Sequence, residues 1–274
     1  MWYTLAASLL FLPFYLRSSL ILLAIALGLA VFDQTLLPPG IVALAIIGTV
    51  ALYCGNQKQP NAFSLPGEIV LVVSAIALML HTIPGFNNLI IVSGERVGPQ
   101  SAPFTFYYNI DKALIPFLLL ACLPTLLKRP AKPPANALWW LVLVMSLPLL
   151  LLLATLAGGL RVEPHLPDWL GAFMLANLFF VSLAEEALFR GYIQQRLSQL
   201  LGDKRALFIA ALLFGFAHFS GGLLLVLFAT LAGLIYGLAW LWSGRLWVST
   251  LVHFAFNMLH LLFFTYPMWQ RIPT

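Results

Sequence analysis

The stretch "VSLAEEALFRGYI", residues 181–193, sets Glu185, Glu186 and Arg190 inside an otherwise apolar run. If the run lies in lipid, those charges need a reason. A charge at the bilayer centre costs about 2.5–3.5 kcal/mol even on the lenient insertion scale. Such residues face a protein interior and usually have a function there.

The surrounding composition makes the lipid reading the natural one. The chain has 274 residues, 62% of them hydrophobic and 8% charged. A membrane helix needs about 20 mostly apolar residues, and only helices and closed barrels satisfy every backbone group in lipid. The apolar runs are continuous rather than alternating, which excludes a barrel. The expected fold is all-α: a polytopic membrane helical bundle with about eight to ten apolar segments. These fall near residues 3–16, 19–32, 41–55, 68–84, 112–127, 137–160, 169–200, 205–219, 222–242 and 247–265. Several early ones are shorter than a full crossing. The first is read as a membrane segment rather than a signal peptide, since it lacks a basic n-region.

The net charge of +5 does not indicate nucleic acid. The basic residues are spread thinly and mark loop ends. "LKRPAKPPA" carries Lys128, Arg129 and Lys132 and reads as cytoplasmic. Alternation puts the turns at 202–205 and 243–245 on the same side. The long connection 85–111 then faces outward, and the aromatics of its "FTFYYNIDK" suit an interfacial belt, as do Trp139, Trp140, Trp240 and Trp242. Cys54 and Cys122 sit in apolar runs and read as free thiols.

Of the nine acidic residues, seven lie in loops or at segment ends; Glu185 and Glu186 do not. Glu186 and Arg190 are four apart with the glutamate first, the favoured order for a helical ion pair. Glu185 points about 100° away and has no such local partner. Two carboxylates in different surroundings suit a division of acid–base labour. Downstream, "FGFAH" brings Phe214 and His218 to the end of one segment. "HFAFN" brings His253 and Asn257 to one face of the last. A hairpin about residues 202–204 sets His218 level with Glu185–Arg190. His253 and Asn257 fall about 9–15 Å out of level with His218 by residue counting.

"EEALFR", "FGFAH" and "HFAFN" resemble, in order, the EExxxR, FxxxH and HxxxN motifs of the CPBP intramembrane proteases. That family includes the type II CAAX prenyl endopeptidases and the bacteriocin-processing or self-immunity (Abi) proteins. The resemblance covers about residues 140–265, and "YYNIDKALI" is also similar to bacterial members. It implies an intramembrane endopeptidase in one integrated domain, with N-terminal membrane segments at 1–136 and a catalytic bundle at 137–274. It implies Glu185 as general base, with His218 holding the water. His253 and Asn257 would donate to the oxyanion, and Glu186 and Arg190 would support the site. No cofactor is implied. The partners would be the lipid bilayer and a peptide or membrane-protein substrate, prenylated or not, and no nucleic acid. The location would be a prokaryotic inner membrane.

Other readings stay open. Glu186–Arg190 is equally well a structural ion pair. Two glutamates and two histidines could hold zinc, although HExxH is missing. A scaffold or immunity protein could keep the motifs without cleaving. A transporter is disfavoured because the buried polar residues crowd the second half. His81 and His260 read as structural, and Tyr192 and Asn177 could line the site.

Overall fold

The computed structural model describes residues 1–56 and 64–270. Each apolar stretch named above is mainly helical. The first half contributes α1 (Trp2–Phe11), α2 (Leu16–Phe32), α3 (Pro38–Gly55) and α4 (Ser64–Met79). After a hairpin come α5 (Ile110–Ala113) and α6 (Ile115–Cys122). The second half contributes α7 (Leu138–Leu156), α8 (Leu170–Leu201), α9 (Asp203–Phe216), α10 (Leu223–Ser243) and α11 (Leu246–Phe263). Helices α3, α7, α8, α10 and α11 are long and apolar enough to cross a membrane. The remaining apolar helices are shorter; α9, with 14 residues, spans about 21 Å.

Helix α8 is the centre of the second half. Of its most apolar window 61% is buried, against 11% in α3 and 28% in α7 and α11. The other helices turn leucine and isoleucine outward, as lipid-facing helices do, because the hydrocarbon satisfies no polar group. Small residues let α9 and α10 approach. A Cβ on Gly233 would lie 3.1 Å from the Ala211 Cα, and one on Gly215 would collide with Thr230.

The three turns expected on one side do meet. Arg129 N donates to Gly244 O at 2.8 Å and Lys132 N to Leu241 O at 3.0 Å. Arg129 and Lys132 both pair with Asp203. Gly244 takes a left-handed φ of 64°, which ends α10 without a Cβ penalty.

The opposite end departs from expectation. Residues 85–111 hold an antiparallel hairpin, β1 (Leu89–Glu95) and β2 (Phe104–Tyr108). Strand alternation turns Phe106 and Tyr108 inward and Tyr107 outward. The "FTFYY" aromatics are therefore partly core: Phe104 and Phe106 lie against Trp169 and Phe173. Trp240 is likewise fully buried rather than an interfacial anchor, because its face of α10 looks into the bundle.

Two acidic residues read as loop residues are buried as well. Asp111 is bonded to His81 Nδ1 at 2.6 Å and to Asn88 Nδ2 at 3.1 Å. Glu163 accepts from Gln100 N at 2.8 Å and Ser101 Oγ at 2.6 Å. Buried carboxylates thus occur in both halves, and these two are hydrogen-bonded.

Candidate active site

Helix α8 carries the first motif on an unusual backbone. It winds as a π-helix over Ala176–Ser182 and Ala187–Gln194, with one α turn, Leu183–Glu186, between. Such wide turns are rare and concentrate at functional sites. One effect is direct. Ser182 Oγ donates to Asn177 Oδ1, five residues back, at 3.2 Å. In an ordinary α-helix those residues would point about 140° apart.

Glu186 is fully buried and fully engaged. Its Oε1 accepts from Arg190 Nη1 at 2.8 Å and lies 3.0 Å from His253 Nδ1. Its Oε2 accepts from Ser249 Oγ. Arg190, also fully buried, donates Nη2 to Gly233 O at 3.1 Å. The Arg190 guanidinium lies 4.3 Å from the Phe214 ring centroid, a cation–π contact away from water. The expected ion pair is present, and it ties α8, α10 and α11 together.

Glu185 stands in contrast. It is half-buried and makes no hydrogen bond or ion pair with any described residue. The two adjacent carboxylates do see different surroundings, as their positions on the helix require.

The two histidines gather around Phe214. Its ring is 4.8 Å from His218 and 5.7 Å from His253, centroid to centroid. This ring spans part of the offset that residue counting gives. His218 sits just past the end of α9, its Nδ1 2.8 Å from Phe214 O. A carbonyl only accepts, so Nδ1 carries the proton and Nε2 of the neutral ring keeps a lone pair. No hydrogen bond joins His218 to either glutamate.

His253 is clamped on three sides. Tyr236 stacks on it at 4.5 Å and 14°, Phe214 meets it edge-on, and Glu186 holds Nδ1. The carboxylate fixes the proton on Nδ1. Nε2 then accepts when the ring is neutral and donates when it is charged. Asn257, one turn on, donates Nδ2 to Asn177 Oδ1 at 3.2 Å. One amide hydrogen remains for another acceptor.

Glu186, Arg190 and His253 therefore form one bonded cluster. Phe214 joins it to His218, and Asn257 stands beside it on α11. Reading the motifs alone overlooks Ser249 and leaves Asn177 unassigned. Ser249 had a signal, since 249, 253 and 257 are spaced by four along one helix face. Asn177 had little beyond being polar in an apolar run, because its placement depends on the π winding.

His260 bonds the carbonyl of Thr265 at 3.2 Å, in keeping with a structural role. A zinc site requires three or four convergent donors. Among the described residues no group of three or more His, Cys, Asp or Glu side chains converges in that way. Glu186, one donor of that alternative, is committed to Arg190, Ser249 and His253.

Residues 167–259 match the family model described as "Type II CAAX prenyl endopeptidase Rce1-like". The matched stretch contains all three motifs and agrees with the family they indicate. No curated protein and no solved structure matches the chain.

Proposed function

We propose that this integral membrane protein, with its Rce1-like segment, is an intramembrane endopeptidase in which Glu185 activates the attacking water. One observation carries the reading. Glu185 is a half-buried carboxylate that makes no hydrogen bond or ion pair with any described residue, one position before a carboxylate whose two oxygens both accept hydrogen bonds. A general base needs a free acceptor, and the half-buried Glu185 suits that role better than Glu186, whose oxygens accept from Arg190 and Ser249.

The steps balance without a metal. Water bound between Glu185 and His218 Nε2 gives a proton to Glu185 as its oxygen adds to the peptide carbonyl. The oxyanion formed is met by the remaining Nδ2–H of Asn257 and by Nε2–H of His253 in its charged form. Aimed donors of this kind are commonly worth 10²–10³ in rate (about 2.7–4 kcal/mol) each. The tetrahedral adduct collapses, the C–N bond breaks, and Glu185 returns its proton to the leaving amine. Glu186 and Arg190 do not touch the substrate in this scheme. Glu186 holds His253 Nδ1 and so orients its ring, and Arg190 holds Glu186 in place.

The substrate would be a peptide or membrane protein, prenylated or not, reached within the bilayer of a prokaryotic inner membrane. The test compares peptide termini in membranes from cells carrying the native protein and Glu185→Gln at matched levels. A terminus that appears with the native protein alone supports the reading. Identical profiles, under conditions where the native gene has an effect, overturn it and leave a scaffold role.

A further inference from the structure

A cavity lies away from the site, at the end of the bundle where the basic turns meet. Its volume is about 970 Å³, near the top of the roughly 300–1,000 Å³ range of small-molecule sites. Leu16, Gly48, Leu52 and Phe117, from α2, α3 and α6, form apolar walls. Glu68 and Arg196 form one polar edge. Arg196 Nε donates to Glu68 Oε1 at 2.8 Å, and Tyr192 OH donates to the same oxygen at 2.5 Å. The Arg196 side chain is 34% exposed; Nη1 also donates to Gln199 Oε1 at 3.3 Å and Nη2 to Cys122 O at 3.5 Å, which leaves one Nη1 hydrogen for a ligand.

The shape and charge select an amphiphile. Apolar walls with one charged edge, at the membrane level where the loops emerge, suit a chain below and a head group above. The same end carries Lys128, Arg129, Lys132, Lys204, Arg205 and Arg245, against the acidic Glu68 and Asp203. Basic pockets between membrane helices on such a side favour anionic head groups. A zwitterionic lipid gains less there, since its own cation meets the same field.

We propose that this cavity binds an anionic phospholipid, one acyl chain lying against Leu52 and Phe117 and the phosphate meeting Arg196. The lipid would touch α8 through Arg196, on the helix that bears Glu185.

The test uses the full chain in neutral detergent and native mass spectrometry. It is titrated with phosphatidylglycerol or phosphatidylcholine of identical chains. A Cβ on Gly48 meets nothing within 4 Å, and the same holds for Gly28 on α2, outside the cavity. Gly48→Phe therefore starts a ring from open space on the cavity wall, and Gly28→Phe is its control. Phosphatidylglycerol is expected to bind the native chain more tightly than phosphatidylcholine. Gly48→Phe should weaken phosphatidylglycerol binding about tenfold or more, with Gly28→Phe unchanged. Arg196→Gln should cut the preference for phosphatidylglycerol about fivefold. Equal affinity for the two lipids, or undiminished binding by a folded Gly48→Phe chain, overturns the proposal. Binding is read without any peptidase activity, so failure here leaves the reading of the active site untouched.

Discussion

The Glu186 carboxylate and the His253 imidazole meet at 3.0 Å across 67 residues of sequence. This contact joins α8 to α11 and fixes the histidine's proton on Nδ1. It also sets the paired glutamates apart. Glu186 organises the site through Arg190, Ser249 and His253. Glu185, beside it, makes no hydrogen bond or ion pair with any described residue.

The two glutamates should therefore fail differently when each is changed to glutamine. Glu185→Gln removes the proposed base, a carboxylate that makes no hydrogen bond or ion pair with any described residue. Turnover should fall by roughly 10²–10⁴, with the thermal midpoint unchanged. Glu186→Gln leaves Arg190 buried without its counter-ion, and breaking a buried pair in this way costs about 3–5 kcal/mol. Its midpoint should drop sharply. Thermal unfolding in detergent alongside a cleavage assay separates the two. An unfolding loss for Glu185→Gln equal to that of Glu186→Gln would remove the distinction.

On the proposed reading, Asn177 aims Asn257 and does not itself touch the substrate. Its Oδ1 accepts from both Asn257 and Ser182. Asn257→Ala should lower kcat about 10²–10³-fold if its amide faces the oxyanion. Asn177→Leu should lower kcat by a smaller factor with KM little changed, because the donor is present but no longer aimed. Asn177→Asp keeps the acceptor and should restore most of kcat. A purely structural Asn177 would show no such rescue and would shift stability instead.

If the proposed reading holds, metal removal should leave cleavage intact. Glu186 has no oxygen to spare, and the described residues offer no convergent set of three donors. Cleavage measured after exhaustive treatment with a strong zinc chelator should match that of the untreated protein. Loss of activity that returns with added zinc would show that a metal supplies the nucleophile.

The parts of this molecule legible in the sequence are those governed by local rules. Continuous apolar runs gave the helices, because lipid leaves few alternatives for the backbone. The four-residue spacing of Glu186 and Arg190 gave their pair, and the proline-rich basic loop gave the end where 128–132, 202–205 and 243–245 gather. What depended on non-local or irregular geometry was not legible. The Asn177–Ser182 contact needs a π turn that an α-helical wheel does not contain. Trp240 reads as an anchor until α10 is rotated to face the bundle. Asp111 and Glu163 look like loop residues because their partners, His81 and Ser101, are 30 and 62 positions away.

The seat of Arg190 depends on a glycine of α10. A Cβ at Gly233 would stand 3.1 Å from Ala211 Cα and 3.2 Å from Arg190 Nη2. Gly233→Val should therefore push α10 from α9 and shift the guanidinium that holds Glu186. Overpacking of this kind costs about 1–3 kcal/mol. Activity should fall with stability, in contrast to Glu185→Gln. Gly28→Ala, with open space around it, should leave both intact or slightly raise stability through helix propensity.

At the basic end, Asp203 links the loop 128–132 to the start of α9, and its titration sets a pH limit on that link. Partial burial opposes its charge, but hydrogen bonds from Lys132, Ser198 and Arg129 outweigh this and hold the carboxyl down at about 2. Its ordinary value is 3.8. The folded state thus binds this proton more weakly than the unfolded chain does. The stabilisation is complete above about pH 4 and is lost as pH falls through the folded value near 2. Unfolding midpoints of the native protein and Asp203→Asn should differ most at neutral pH and converge as pH approaches 2. The gap should also narrow in high salt, since the pair is partly exposed and screened. A gap independent of pH would mean that Asp203 acts through packing or neutral hydrogen bonds, not through its charge.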